Sequence, residues 1–174
     1  MTKLNEIAKY TLLLAALLLA GCGKAQNNGA DDGTAVKNAV FTDLQGNEVA
    51  LSEHKGKVVL IDFWETWCKP CISSFPTMQK LMDEYPERFV VLAVTPGFAD
   101  TKEDAREFAQ NHDYDFVYLY DSNKLHEKLG VQGIPFKVYV DPGGELIKTS
   151  RGSYGPEQDY KQAEDVIEKY VSEK

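Results

Sequence analysis

Val58-Val-Leu-Ile-Asp-Phe63 holds five apolar side chains and a single acid. An unbroken apolar run of this kind suits a strand covered on both faces, and such strands belong to parallel or mixed sheets packed between helices. An amphipathic stretch follows, from about Cys68 or Pro70 to Tyr85, with Phe75, Met78, Leu81 and Met82 as its apolar stripe and Pro86 as its stop. Pro76 lies inside that stretch and should kink it. A buried strand feeding an amphipathic helix is half of a β-α-β unit, so the expectation is a layered α/β fold.

The remaining segments extend this pattern. Phe41–Leu44 and Val49–Leu51 flank a Gln45-Gly46-Asn47 turn and read as a hairpin. Phe89–Val94 reads as a strand, and Thr101 with Asp104 as a capping-box start for a helix to about His112. Phe116–Tyr120 reads as a strand and Leu125–Leu129 as a short helix closed by Gly130. Phe136–Val140 and Glu145–Thr149 flank a tight Asp141-Pro-Gly-Gly144 turn. Pro156 opens a last helix whose stripe is Tyr160, Ala163, Val166, Ile167 and Tyr170. This order calls for a mixed central sheet with helices on both faces and an added N-terminal β-hairpin. The 174 residues suffice for one domain with a substantial core.

The N-terminus stands apart from this domain. Lys3 and Lys9 precede Tyr10–Leu19, which is apolar but for Thr11, and small residues then lead to a cysteine in Leu19-Ala-Gly-Cys22. The apolar run is short for a membrane span and suits the h-region of a secretory signal. Leu-Ala-Gly-Cys resembles the bacterial lipobox, which implies lipid on the Cys22 thiol and cleavage just before it. Read instead as an uncleaved anchor, the same run still leaves the rest of the chain outside the cytoplasm and tied to a membrane. Residues 1–21 are therefore assigned to a signal peptide. Residues 22–38, small and polar, are expected to form a flexible tether, and 39–174 the ordered domain. The net charge is −8, with no Lys/Arg cluster. Such a chain is a poor candidate for binding nucleic acid, and it lacks the basic patch that would hold it to anionic lipid.

The three cysteines then sort themselves. With Cys22 lipidated, Cys68 and Cys71 remain, two residues apart in Trp67-Cys-Lys-Pro-Cys71. A Cys-x-x-Cys pair serves as half of a zinc site, as a structural disulfide or as a redox dithiol. Zinc needs two more ligands, and His54, His112 and His126 are scattered without ligand spacing, so no metal is expected. A disulfide closing so small a loop adds little stability. The redox reading is the one that requires the pair to follow a buried strand and start a helix. The nucleophile in disulfide exchange is the thiolate, which the N-terminal end of a helix stabilises. Cys68 is expected to be the exposed nucleophile with a lowered pKa, aided by the charge of Lys69. Cys71, one turn further in, is expected to be the buried resolving thiol. Pro70 suits the first helical turn.

Val59-Leu-Ile-Asp-Phe-Trp-Glu-Thr-Trp-Cys-Lys-Pro-Cys71 resembles the active-site strand and loop of thioredoxins, and Gly133-Ile-Pro135 resembles their cis-proline loop. The hairpin before Lys57, the Ser73-Ser-Phe-Pro76 segment and the lipoprotein signal resemble the TlpA/ResA branch of membrane-anchored, extracytoplasmic proteins. The resemblance covers about residues 40–172. It implies a thioredoxin-like fold and a thiol–disulfide oxidoreductase with no cofactor beyond its own Cys68–Cys71 disulfide. It also implies protein substrates carrying disulfides or dithiols, a membrane electron donor and a monomer. It makes Asp62 the buried acid that takes or gives the Cys71 proton. It makes Pro135 a cis residue against the disulfide, Ile134 a backbone partner for an extended client segment, and Trp67 part of the client-facing surface. Trp64 is assigned to the core.

Three positions depart from the branch. Asp62 stands where many relatives carry Asn, Ser74 where ResA-like sequences carry Glu, and Glu65 where a small residue is usual. An acid at 65 is expected to raise the Cys68 pKa or to repel acidic clients. Two other functions fit these residues less well. A thiol peroxidase needs Thr or Ser three residues before its nucleophile, where this chain has Glu65. A copper-handling protein of the Sco type uses Cys-x-x-x-Cys, one residue longer than the spacing here.

Overall fold

The apolar run at 58–63 is an interior strand of a seven-stranded sheet. The computed structural model describes residues 28–171; the expected signal peptide and Cys22 lie outside the described residues. The strands are β1 Val40–Asp43, β2 Glu48–Ala50, β3 Val58–Phe63, β4 Phe89–Thr95, β5 Val117–Tyr120, β6 Phe136–Val140 and β7 Leu146–Arg151. They lie in the order β2-β1-β5-β4-β3-β6-β7. β3, β4 and β5 run parallel, and every other pairing is antiparallel. The helices are α1 Asn28–Lys37, α2 Lys69–Glu84, α3 Lys102–Asn111, α4 Leu125–Lys128 and α5 Pro156–Val171. Pro76 lies within α2 without ending it.

Strand alternation divides the core in two. Leu60 and Trp64 of the β3 segment, Val91 and Ala93 of β4 and Tyr139 of β6 pack with Phe75, Met78 and Leu81 of α2, Phe108 of α3 and Ile167 of α5. Val59, Ile61 and Phe63, with Leu92, Val94 and Val138, pack on the other face with Val36 of α1 and Leu125 of α4. Both faces of β3 and β4 are covered, which is why neither strand alternates in sequence. The first cluster is rich in rings: Trp64 lies 4.6 Å from Phe108 and 5.1 Å from Phe75, centroid to centroid. It also contains Cys68 and Cys71.

One segment departs from the sequence reading. The later part of the expected tether, 28–37, is helix α1. Its Asn, Asp and Gly content is a poor helix former, and the reading as tether followed from that. Tertiary packing decides otherwise: Val36 is 0% exposed, and the Asn38 and Ala39 N–H groups close the helix end on Thr34 O and Val36 O. Leu51 N–H then binds Ala39 O, tying the segment to the hairpin.

β3 and β6 meet with Phe63 opposite Phe136. The loop leaving β3 at Trp64 and the residue entering β6 at Pro135 are therefore neighbours at one end of these interior strands.

Candidate active site

Cys68 and Cys71 are joined as a disulfide, with Cα atoms 5.3 Å apart. Cys68 caps the N-terminus of α2, and Pro70 occupies its first turn. Cys71 N–H and Ile72 N–H both donate to Cys68 O, and Lys69 N–H donates to Trp67 O. Pro70 has no N–H to offer. The helix dipole is thus what this end supplies to a Cys68 thiolate, rather than free N–H groups. Lys69 and Pro70 are exposed. Cys68 is not the exposed residue the sequence suggested: it is 2% exposed against 0% for Cys71, because the first turn of α2 folds the disulfide onto the ring-rich cluster.

Glu65 makes contacts that the sequence does not announce. It is fully buried, and its carboxylate accepts the N–H groups of Phe98, Ala99 (3.0 Å) and Asp100 (3.3 Å), and the Trp67 indole Nε1–H (2.6 Å). Asp100 answers by accepting the Thr66 N–H. The two acids clasp the loop after β3 to the loop after β4 and fix Trp67 beside Cys68. Buried behind four donors, Glu65 presents no charge to clients. No local pattern announces this clasp, since its partners lie more than thirty residues apart.

Asp62 shares the row of β3 that faces Cys71, by alternation with Leu60 and Trp64. Across the sheet it pairs with Ala93 on one side and Lys137 on the other. Lys137 Nζ is 3.8 Å from Asp62 Oδ2 and 3.6 Å from Asp159 Oδ2, with all three residues buried. Neither Asp62 oxygen accepts a hydrogen bond from a described residue, and Lys137 Nζ donates none. Burial lifts the Asp62 carboxyl to about 6; Lys137 opposes the lift and Asp159 adds to it. The sequence reading missed Lys137 and Asp159. Lys in Phe136-Lys-Val-Tyr-Val140 reads as the outward position of a strand, and only the cross-strand register brings it to Asp62.

The Ile134–Pro135 peptide is cis. Ile134 packs against the cluster that holds both cysteines, and Pro135 O accepts the N–H of Gly152. The large apolar side chains exposed among the described residues are Trp67, Phe98 and Tyr154. Trp67 and Phe98 meet at the Glu65 carboxylate, and Tyr154 lies two residues after Gly152. Of the three, Trp67 adjoins Cys68 in the chain, whereas the Phe98 ring packs edge-on against His126, centroids 5.3 Å apart. Ser74, where the branch carries Glu, is buried and donates its hydroxyl to Cys71 O at 2.8 Å. Among the described residues no group of three His, Cys, Asp or Glu side chains could hold a metal ion.

The AhpC/TSA family model matches residues 33–149. The chain belongs to the AhpC/TSA family. Within it, this AhpC/TSA chain is similar to thioredoxin-like thiol–disulfide oxidoreductases. It is 34% identical over 119 residues to the thioredoxin-like protein YneN of Bacillus subtilis, covering 68% of this chain and 70% of that one. It is 32% identical over 128 residues to the thiol–disulfide oxidoreductase ResA of Bacillus thuringiensis subsp. konkukian, covering 72% and 73%. The crystal structure of the exposed lipoprotein thioredoxin of Streptococcus pneumoniae is similar with a TM-score of 0.60 and 30% identity, over 72% of this chain and 97% of that one. The fold is thioredoxin-like, and the enzyme class that of its relatives, thiol–disulfide oxidoreductase.

Proposed function

We propose that this AhpC/TSA chain reduces disulfides of protein clients outside the cytoplasm, held to a membrane by lipid on Cys22. The observation that carries the reading is the Cys68–Cys71 disulfide at the start of α2, facing the row of β3 that holds an unsatisfied buried acid. In the reduced protein the Cys68 thiolate attacks a client sulfur. The client disulfide breaks, one client thiolate leaves, and a mixed disulfide on Cys68 remains. Asp62 carboxylate then takes the Cys71 proton, and the Cys71 thiolate attacks Cys68 Sγ. The mixed disulfide breaks, the second client thiolate leaves and is protonated by solvent, and the pair is oxidised as the client gains two electrons. A membrane-borne dithiol donor closes the cycle.

The cis-Pro135 segment offers its Ile134 backbone to an extended client strand, and exposed Trp67, next to Cys68, supplies apolar area beside the disulfide. The membrane anchor draws on Leu19-Ala-Gly-Cys22 and on the similarity to a lipoprotein thioredoxin. No helix of the described residues is long and apolar enough to cross a membrane. The peroxidase alternative needs a hydroxyl three residues before the nucleophile, where Glu65 is committed to the clasp.

The test is a trap. Cys71→Ser should accumulate mixed disulfides on Cys68, and Cys68→Ser should abolish insulin disulfide reduction. Unchanged insulin reduction in both variants would overturn the proposal. Cys22→Ala should abolish incorporation of labelled palmitate into the chain; unchanged labelling removes the lipid on Cys22 from the reading.

A further inference from the structure

The Asp62–Lys137–Asp159 trio contains one cation and two acids in a space without hydrogen-bond partners for Asp62 or Lys137. With both acids ionised it carries one uncompensated negative charge inside the core, and one proton removes it. The two acids are not equivalent. Asp159 accepts the Ser153 hydroxyl at 2.7 Å and the Tyr154 N–H at 3.1 Å, both from the loop before α5. Asp62 accepts neither a backbone nor a side-chain donor among the described residues. A carboxylate with donors keeps its charge more readily than one without. The proton therefore belongs on Asp62.

We propose that Asp159 is a positioning residue for the exchange reaction: by holding its own charge and sharing Lys137, it keeps Asp62 as the carboxyl that moves the proton. This rests on the reading of Asp62 as the proton carrier. It extends that reading to α5, which carries neither cysteine and packs in the cluster that holds both. The groups that face Asp62 are few. Lys137 faces it from β6 and Asp159 from α5, Ala93 from β4 is uncharged, and the cysteines of α2 are neutral while joined. Tyr139, two residues from Lys137 on the same strand face, is buried and feels both acids. Its phenol is pushed upward, mainly by burial, so it stays neutral in the window where Asp62 titrates.

The experiment is the pH profile of mixed-disulfide resolution in the full chain, with Asp62→Asn, Asp159→Asn and Lys137→Gln. Asp159→Asn removes the negative neighbour and should lower the Asp62 midpoint by about one pH unit. A weaker base should then resolve the mixed disulfide about three-fold more slowly at neutral pH. Lys137→Gln removes the cation and should raise the midpoint by about as much. Opposite signs are the signature, because a core merely loosened and wetted would lower the midpoint in both variants. Carbon-detected NMR of the parent chain needs no variant to fold: the Asp signal that titrates between about pH 5 and 7 should be that of Asp62 and not Asp159. An Asp159→Asn midpoint equal to the parent's, or a parent titration that belongs to Asp159, overturns the inference while leaving Asp62 as proton carrier. A profile that Asp62→Asn leaves unchanged overturns both.

Discussion

Asp62 and Glu65 lie three residues apart, both fully buried, on either side of the point where β3 becomes a loop. Their surroundings are opposite. Glu65 meets four N–H donors, and Asp62 meets none from the described residues and shares a lysine at 3.8 Å. The same chemical group at the same depth is thus a fastener in one place and an acid without hydrogen-bond partners among the described residues in the other. Donor supply decides which, not burial. The difference also explains why the two acids act on different neighbours. Glu65 fixes backbone and Trp67, while Asp62 lies without hydrogen-bond partners among the described residues on the face of β3 that turns toward Cys71.

The comparison breaks first at Glu65. Glu65→Ala would strand three backbone N–H groups and the Trp67 indole, and should destabilise the fold by about 4 kcal/mol, read from denaturant unfolding. Glu65→Gln retains an acceptor oxygen but turns an NH₂ toward N–H donors, so it should recover only part of the loss. If Glu65→Ala unfolds at the parent's denaturant midpoint, the clasp is not holding the loops and Glu65 is no fastener.

Asp62→Asn should act in the opposite direction. An unfolded Asp loses its proton near pH 3.9, whereas Asp62 in the fold holds it to about 6. Between those values the folded chain binds more protons than the unfolded one, so stability falls as pH rises and the penalty is complete above the folded value. A shift of about two units corresponds to roughly 3 kcal/mol. At neutral pH Asp62→Asn should therefore stabilise the oxidised protein by about 2–3 kcal/mol, and the slope of stability between roughly pH 4 and 6 should flatten. The same variant should resolve mixed disulfides more slowly. A destabilised Asp62→Asn would mean that the acid is paired more strongly than its geometry allows.

What the sequence disclosed follows the reach of each interaction. β3 spans the residues expected of it, and α2 begins at the cysteines, because a run of apolar residues and a Pro in a first turn are local signals. The burial of Cys68 was not legible, because the rings that cover it come from distant elements. The clasp and the trio were illegible because each is closed by residues far along the chain: Asp100 for Glu65, Lys137 and Asp159 for Asp62. Lys137 shows the limit most sharply. Its alternation in β6 is that of an outward residue, yet α5 covers that face of the sheet, so the outward position is interior. α1 escapes the sequence for a related reason: composition argues against a helix there, and the burial of Val36 against the far face overrides it.

The smallest effect separates the two halves of the Glu65 clasp. Trp67→Phe keeps the ring beside Cys68 and removes the Nε1–H that donates to Glu65 Oε2 at 2.6 Å. Trp67 is 55% exposed, and Glu65 keeps its three backbone donors, so the expected loss is about 1 kcal/mol with the exchange chemistry intact. Thermal unfolding and insulin reduction measured on one preparation check both halves. A loss as large as that of Glu65→Ala would mean that the indole, not the loop backbone, is what the buried acid serves. Glu65 would then belong to the client-facing surface, and the division of labour between the two acids would have to be redrawn around Trp67.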